Sequence, residues 1–299
     1  MEPLTAAEFL SEHWERKPFV ASRRESGRFD DLLSEADVEG LVCSTGIRYP
    51  AFRLVKEGAR IDVADYTEDI SWRPTPFTGT ANVERVLAEF EAGATIVLQG
   101  LHLHWRPLAE FCRELEAALG HPVQANAYYT PRSAQGLPAH HDTHDVFSLQ
   151  VAGEKRWLVY EPALELPLQD QRYRPELGGP GDPVHDVTLG SGDTLYLPRG
   201  WLHEAKTSAT DSLHITIGVN VYTWLDAFRA AMEECAGEVE FRRAVPDGVA
   251  ERPEDLLEHL RARLAPEDVE RRRRDRFVKA RRPILDGQLR QLRALEELT

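Results

Sequence analysis

Cysteine is nearly absent from this chain: Cys43, Cys112 and Cys235 are the only three. An odd, widely spaced set frames neither a disulfide scaffold nor a cysteine-based zinc site, and reduced thiols in a cytoplasm are the simplest expectation. Positive charge is short as well, with 36 Lys and Arg against 50 Asp and Glu and a formal net charge of −14. Such a surface repels phosphate on average, so direct nucleic-acid binding is not expected and a basic protein or peptide partner fits better. No stretch reaches the roughly eighteen consecutive apolar residues of a membrane helix, and residues 1–9 lack the basic and apolar regions of an export signal. Neither a fixed-period repeat nor a low-complexity linker is found. What is present suits a globular chain: 42% hydrophobic and 29% charged residues are enough for one large core and a smaller appended unit.

The hydrophobic pattern changes twice. Thr5 and Glu8 form a capping-box pattern ahead of Phe9 and Leu10, and Lys17-Pro18 stops that helix. A second short helix follows Ser34. Asn82 caps a third, whose Val83, Val86, Leu87 and Phe90 recur at helical spacing until Gly93. Residues 95–98 read as a buried strand, and Pro107 opens a helix that Gly120 closes. From Val123 to Trp224 short apolar or alternating runs separated by Gly and Pro take over, the signature of an antiparallel sandwich or barrel. Within it, residues 146–151 and 156–160 on either side of Gly153 predict a hairpin. Residues 194–197 and 214–222 predict further strands, with Gly192-Asp193 and Pro198-Arg199-Gly200 as turns. Paired as two sheets, these strands make a jelly roll. After Trp224 the helical period returns through Leu256, Leu257, Leu260 and Leu264, and again over residues 284–295. The expected organisation is a catalytic domain over residues 1–224 and a helical region over 225–299.

His140 and Asp142 stand two residues apart beside an extended run, so their side chains leave one face and can converge on one ion. His203 follows a strand and the Pro-Arg-Gly turn, where a barrel mouth can deliver a third ligand. Two imidazoles and a carboxylate make a facial triad that leaves three positions on iron for a bidentate 2-oxo acid and dioxygen, whereas zinc favours a closed tetrahedral set. Spacing alone leaves a solvated cluster as the alternative, because His141, His144 and Asp145 crowd the same segment. His102 and His104 alternate beside Trp105 but lack a nearby third donor, so they read as packing or hydrogen-bonding residues. Arg132 is either a substrate contact or a solvated loop arginine. The run Arg271 to Arg274 follows Glu267, Asp268 and Glu270 and reads as a salt-bridged helix face in preference to an RNA site.

A longer pattern surrounds the three ligands: Asn126-Ala127-Tyr128, Thr130-Pro131, Gln135-Gly136-Leu137-Pro138, His140-His141-Asp142, Val146-Phe147 and Leu149-Gln150. It continues through Gly153-Glu154-Lys155, Trp157, Gly192-Asp193, Leu195-Tyr196-Leu197-Pro198-Arg199-Gly200 and His203. In these residues the chain resembles the jumonji-type (JmjC) oxygenases of the cupin superfamily, and within them the ribosomal oxygenases that hydroxylate ribosomal proteins. The resemblance spans about residues 92–219 and extends more thinly to both ends.

The resemblance implies a mainly β, α+β architecture: a double-stranded β-helix (the jelly roll of cupins and JmjC domains) flanked by helices, then a C-terminal helical dimerisation bundle. It assigns iron to His140, Asp142 and His203, as the spacing does, and pairs Lys155 with the distal carboxylate of 2-oxoglutarate. The chemistry of Lys155 agrees, since an ammonium aimed into a barrel is costly unless an anion meets it. From the residues alone, a lysine exposed at a turn after Gly153 is the equal alternative. Asn126 and Tyr128 alternate along one strand and are expected to face the co-substrate, with ordinary barrel packing as the other reading of the tyrosine. Thr207 is expected as a further co-substrate contact, and His214 as a satisfied core histidine or one that supports a ligand.

The activity implied is Fe(II)-, 2-oxoglutarate- and O2-dependent hydroxylation of a protein or peptide side chain, on the pattern of the ribosomal-protein Arg and His hydroxylases. A small-molecule hydroxylase, an N-methyl-lysine demethylase or a non-catalytic cupin binding protein are the alternatives. A homodimer through the C-terminal helices is expected, with a ribosomal protein as a possible partner. The residues after Leu295 leave no room for the winged helix that usually follows in this family, which places ribosomal recognition in question.

Overall fold

The structure, a computed structural model, describes residues 4–134, 137–245 and 254–280. It divides into two compact units, one of residues 1–115 with 123–220 and the other of 116–122 with 221–299.

The first unit opens with α1 (Ala6–Glu12), begun by a capping box in which the Thr5 hydroxyl accepts from the Glu8 N–H and the Glu8 carboxylate accepts from the Thr5 N–H. After β1 (Phe19–Ala21), α2 (Glu35–Ser44) is begun the same way by Ser34 and Asp37. Next come β2 (Phe52–Lys56), β3 (Ala59–Arg60), the single turn α3 (Val63–Tyr66), β4 (Thr67–Ile70) and β5 (Phe77–Ala81). Asn82 caps α4 (Val83–Glu91), and β6 (Thr95–Leu98) is buried at every position. The helix expected from Pro107 is α5, Arg106–Leu119.

The barrel proper consists of β7 (Val123–Thr130), β8 (Asp145–Pro162), β9 (His185–Gly190), β10 (Thr194–Leu197) and β11 (Trp201–Val219). These join the earlier strands in the order β1-β10-β8-β11-β7-β6-β2-β3, with β9 also on β8. A jelly roll results because β8 and β11 are long enough to serve two sheets. The first half of β8 pairs β10 and its second half pairs β9. β11 pairs β8 along both halves, but β7 only from Ser212 to Val219.

This corrects the hairpin expected at residues 146–160. The two halves do not pair with each other; they form one bent strand, because each finds partners on β9, β10 and β11. Gly153 sits at the bend with φ 64°, opposite a register shift in β11, and a Cβ there would strike the Asp211 carbonyl oxygen. The strand expected at 214–222 is the second half of β11 and ends at Val219.

Core side chains on this part of the barrel include Val159, Leu189, Leu195 and Leu197, packed with Trp157 and Ala205; each large aliphatic group fully buried contributes roughly 1.5–3 kcal/mol. A polar network fastens the N-terminal segment to the same strands. The Glu15 N–H donates to the Tyr196 hydroxyl at 3.0 Å, and that hydroxyl donates to Asp145 at 2.8 Å. The Arg199 guanidinium, 5% exposed, meets both the fully buried Asp145 carboxylate at 3.0 Å and the Glu15 carboxylate.

In the second unit, α6 (Trp224–Cys235) starts at a Thr223–Asp226 capping box and is followed by α7 (Glu254–Ala262) and α8 (Pro266–Ala280). The basic run of α8 is engaged: Arg272 forks onto Glu234 at 2.7 and 2.6 Å, Arg271 pairs with Asp268, Arg273 with Glu270 and Arg276 with Asp226. The helical repeat expected at 284–295 lies outside the described residues. Among those described, no helix is long and apolar enough to cross a membrane.

Candidate active site

A pocket of about 570 Å³ opens into the barrel. Its wall is made of alternate residues, Asn126, Tyr128 and Thr130 from β7 and His214 and Thr216 from β11, because successive side chains of a strand leave opposite faces.

His140, Asp142 and His203 come together in this pocket, one donor atom of each lying within 4.8 Å of the others. The backbone accounts for the convergence. His140 and His203 form an antiparallel bridge, exchanging N–H to carbonyl bonds of 3.1 and 2.8 Å, and the Gly200 N–H donates to the Asp142 carbonyl at 3.1 Å. The loop that carries His140 and Asp142 is thereby stitched to the start of β11. His140 Nδ1 lies 2.8 Å from the Pro138 carbonyl and His203 Nδ1 lies 3.0 Å from the Trp201 carbonyl. A carbonyl only accepts, so each Nδ1 carries the proton and each Nε2 keeps its lone pair. His203 Nε2 is 3.7 Å from Asp142 Oδ2.

The electrostatics agree with a metal-binding set. Burial, with His140 beside it, pushes His203 down to about 4 against the opposing pull of Asp142. Burial raises Asp142, but His144, His203, His140 and His141 outweigh it and hold the carboxyl below its usual range. At neutral pH His203 is therefore a neutral imidazole and Asp142 a carboxylate, and together with the His140 imidazole they suit a divalent ion with open positions. The residues that crowded the motif fall elsewhere. His141 is buried, with Nε2 3.2 Å from the Gln171 carbonyl and its ring edge-on to Tyr173; Asp145 belongs to the Tyr196–Arg199 network; His144 lines the pocket but is not one of the three converging donors.

Lys155 lies inside β8 and is 3% exposed, so it is not a turn lysine. Its ammonium lies 3.1 Å from the Thr130 hydroxyl, which lies 3.2 Å from the Thr95 hydroxyl, and burial pulls the lysine down to about 7. A buried cation whose one hydrogen-bond partner among the described residues is a neutral hydroxyl is costly, and a carboxylate entering the pocket would relieve it. The donor set thus fits a divalent metal, and the lysine fits an anion bound beside it.

Asn126 accepts from the Gly100 N–H at 2.9 Å through its side-chain oxygen, leaving its NH2 as the free end. Tyr128 stacks on His214 with ring centroids 5.0 Å apart and planes 7° apart, and its hydroxyl bonds the Thr216 side chain. Both line the pocket as expected. Thr207 does not: its hydroxyl lies 2.8 Å from the carbonyls of both Pro131 and Ala134 and accepts from the Ala134 N–H at 2.9 Å. Strand parity put Thr207 on the side of His203, but the loop before the ligands takes up its hydroxyl. The reading of His214 as a satisfied core histidine is also corrected, because its buried Nδ1 has no partner among the described residues. His102 accepts from the Ala125 N–H at 3.1 Å, in keeping with a hydrogen-bonding role, and His104 lines a different pocket.

The residues that sequence reasoning missed are Thr130 as the partner of Lys155, and Arg53, Arg60, Arg172 and Tyr173 in the lining. Arg53 and Val55 alternate on β2 much as Asn126 and Tyr128 do on β7, but nothing local to β2 says that it joins this sheet through β6.

Residues 101–227 match the JmjC domain family. The bifunctional lysine-specific demethylase and histidyl-hydroxylase NO66 of Drosophila persimilis is 35% identical over 218 residues, which cover 72% of this chain and 30% of that protein. Ribosomal oxygenase 1 of Danio rerio is 29% identical over 290 residues, covering 93% of this chain and 49% of that protein. Ribosomal oxygenase 2 of Rattus norvegicus is 32% identical over 225 residues, covering 73% and 45%. The chain spans less than half the length of each of these relatives. In fold it is similar to YcfD, a ribosomal oxygenase from Escherichia coli solved in complex with cobalt and 2-oxoglutarate, with a TM-score of 0.56 at 19% identity over 89% of this chain and 68% of that one. This chain is therefore a JmjC-domain protein, its domain lying within a cupin-type jelly roll, and ribosomal oxygenases are among its homologues.

Proposed function

We propose that the chain is an Fe(II)- and 2-oxoglutarate-dependent oxygenase that hydroxylates a side chain of a protein or peptide, a ribosomal protein being the class that the names of its relatives suggest. The observation that carries this reading is the pairing, in one pocket, of a His140–Asp142–His203 donor set with a buried Lys155 that has no carboxylate partner among the described residues.

In this reading His140, Asp142 and His203 hold the iron, and Lys155 with Thr130 holds the distal carboxylate of 2-oxoglutarate. When bound, the metal supplies oxidative chemistry in which 2-oxoglutarate, O2 and a substrate C–H become succinate, CO2 and C–OH. The chain's own part is positional. Lys155 fixes one end of the co-substrate, Asn126 offers its NH2 and Tyr128 its hydroxyl near the other, and the rings of Tyr128 and Trp157 keep water from the wall.

Self-association through the second unit and a cytoplasmic setting complete the proposal. Trp224, Phe228 and Met232 recur at helical spacing on α6 and are 72%, 45% and 60% exposed, an apolar stripe that a second copy would cover. Among the described residues Cys43, Cys112 and Cys235 form no disulfide, which suits a reducing compartment. Light scattering on the wild type and on Phe228→Glu tests the dimer, which the substitution is expected to dissociate.

The activity is tested by succinate formation from 2-oxoglutarate with Fe(II), and by comparing intact protein masses from cells with and without this chain. Gain of one oxygen atom marks hydroxylation, whereas loss of a methyl group marks the demethylation named in the NO66 relatives. Succinate output unchanged in His140→Ala and His203→Ala would remove the assignment.

A further inference from the structure

We propose that the substrate carries a carboxylate, and that Arg53, with Arg60 beside it, seats that carboxylate in the pocket. The inference deepens the oxygenase reading and rests on it for the reaction.

Arg53 is placed by strand register. It lies opposite Val97 of β6, Val97 opposite Tyr128 of β7, and Tyr128 opposite His214 of β11, so the four form one row across the sheet. Arg53 and Tyr128 both line the pocket, and Arg53 therefore stands two strands beyond the tyrosine on the same wall. The orientation of Arg53 is also set. Its Nε–H donates to the Gln99 side-chain oxygen at 2.6 Å, while the Gln99 NH2 donates to the Pro50 carbonyl at 2.7 Å. The glutamine amide cannot flip without losing both bonds, and the terminal nitrogens of Arg53 are left as a fork.

Among the described residues no carboxylate pairs with this guanidinium. Burial pulls its pKa below the ordinary arginine value, and Arg60 adds to the effect. The charge balance of the occupied site points the same way. A divalent metal and the Lys155 ammonium are matched by Asp142 and a dianionic co-substrate, so those charges cancel before any substrate enters. Among the described residues, Arg53, Arg60 and Arg172 then remain on the lining with Glu204 as the one opposing charge. Glu204 already accepts from the Tyr160 hydroxyl at 2.7 Å and lies 3.6 Å from the Lys206 ammonium. In a chain with a net charge of −14 this is a local reversal of sign, and a partly enclosed pocket strengthens its pull on an anion. A planar, fixed guanidinium favours a carboxylate that it can grip with two N–H bonds. The basic partner expected from overall charge fits the outer surface; the segment that enters the barrel is of the other sign.

The test is binding without turnover, by fluorescence anisotropy on anaerobic Mn(II)-loaded protein with 2-oxoglutarate. The probes are two labelled decapeptides with a central His flanked on both sides by Glu or by Lys. The Glu peptide is expected to bind about tenfold or more tightly than the Lys peptide, the scale of one charge-assisted pair. Arg53→Gln should erase that preference, Arg53→Lys should keep part of it, and Arg28→Gln, which removes the same charge from a surface pair, should leave it intact. Displacement of the Glu peptide by N-acetylglutamate at similar affinity supports the seat and assigns it to a small acid, and weaker displacement assigns it to a peptide. Equal binding of the two peptides, or a preference that survives Arg53→Gln, overturns the proposal. No step of this assay depends on oxygen, so failure of the oxygenase reading would be seen separately as absent succinate.

Discussion

The imidazoles of His140 and His203 face each other with ring centroids 4.6 Å apart, across a bridge in which each residue's N–H donates to the other's carbonyl. The separation of the two donors is set by main-chain bonds and does not depend on an ion being bound.

Removing one imidazole should therefore empty the site without loosening the barrel. His203→Ala is expected to lower Mn(II) or Co(II) affinity by about 100-fold or more, measured by calorimetry, with the far-UV circular dichroism spectrum unchanged. Loss of the β signal in that variant would show that the histidine holds the fold.

Lys155 makes stability depend on pH in a direction that can be worked out. Burial lowers its pKa to about 7 from the model-peptide value of 10.5, so between these two values the unfolded chain binds more protons than the folded one and stability rises with pH. Below about 7 both states are protonated and the full burial penalty applies. The metal-free protein should accordingly melt higher at pH 9 than at pH 7, and Lys155→Met should flatten that difference. Bound 2-oxoglutarate should flatten it as well, since its carboxylate raises the lysine again. A wild-type profile parallel to that of Lys155→Met would contradict the assignment of the ammonium.

Thr130→Val removes the hydroxyl that meets Lys155 and keeps the side-chain shape. A hydrogen bond from a charged donor, about 1.5–3 kcal/mol, corresponds to roughly a 10- to 100-fold weaker 2-oxoglutarate Kd, read by titration on Mn(II)-loaded protein.

Gly153→Ala tests the bend in β8. A methyl group would strike the Asp211 carbonyl oxygen at a positive φ, and a loss of roughly 1–3 kcal/mol in denaturant unfolding is expected. An unchanged midpoint would mean that the strand can straighten there.

What was legible beforehand was mostly local. The capping box at Thr5, the helix start after Ser34 and the four residues of β6 could be read because each signal lies within a few positions of its effect. The His140–Asp142 pair was legible by parity, and His203 by the turn before it. What was not legible depends on which strand lies across from which. Residues 146–160 carry two apolar runs around a glycine, and no local feature tells a hairpin from a single bent strand whose halves pair elsewhere. Thr207 and Thr130 show the same limit: parity put the first near His203, yet its hydroxyl binds the loop before the ligands, while the second reaches Lys155 from another strand. Arg53 went unnoticed because β2 enters the sheet only through β6.

The Glu15–Tyr196–Asp145–Arg199 network gives the first segment of the chain a role beyond capping an edge. A shortened form starting after Arg16 would strip one carboxylate from Arg199 and one donor from Tyr196, leaving Asp145 and Arg199 as a two-membered ion pair three residues from Asp142 on one side and four from His203 on the other. Trimming the N-terminus to reach a minimal barrel would therefore disturb the footing of the His140–Asp142–His203 donor set from behind, although no described residue of that segment lines the pocket.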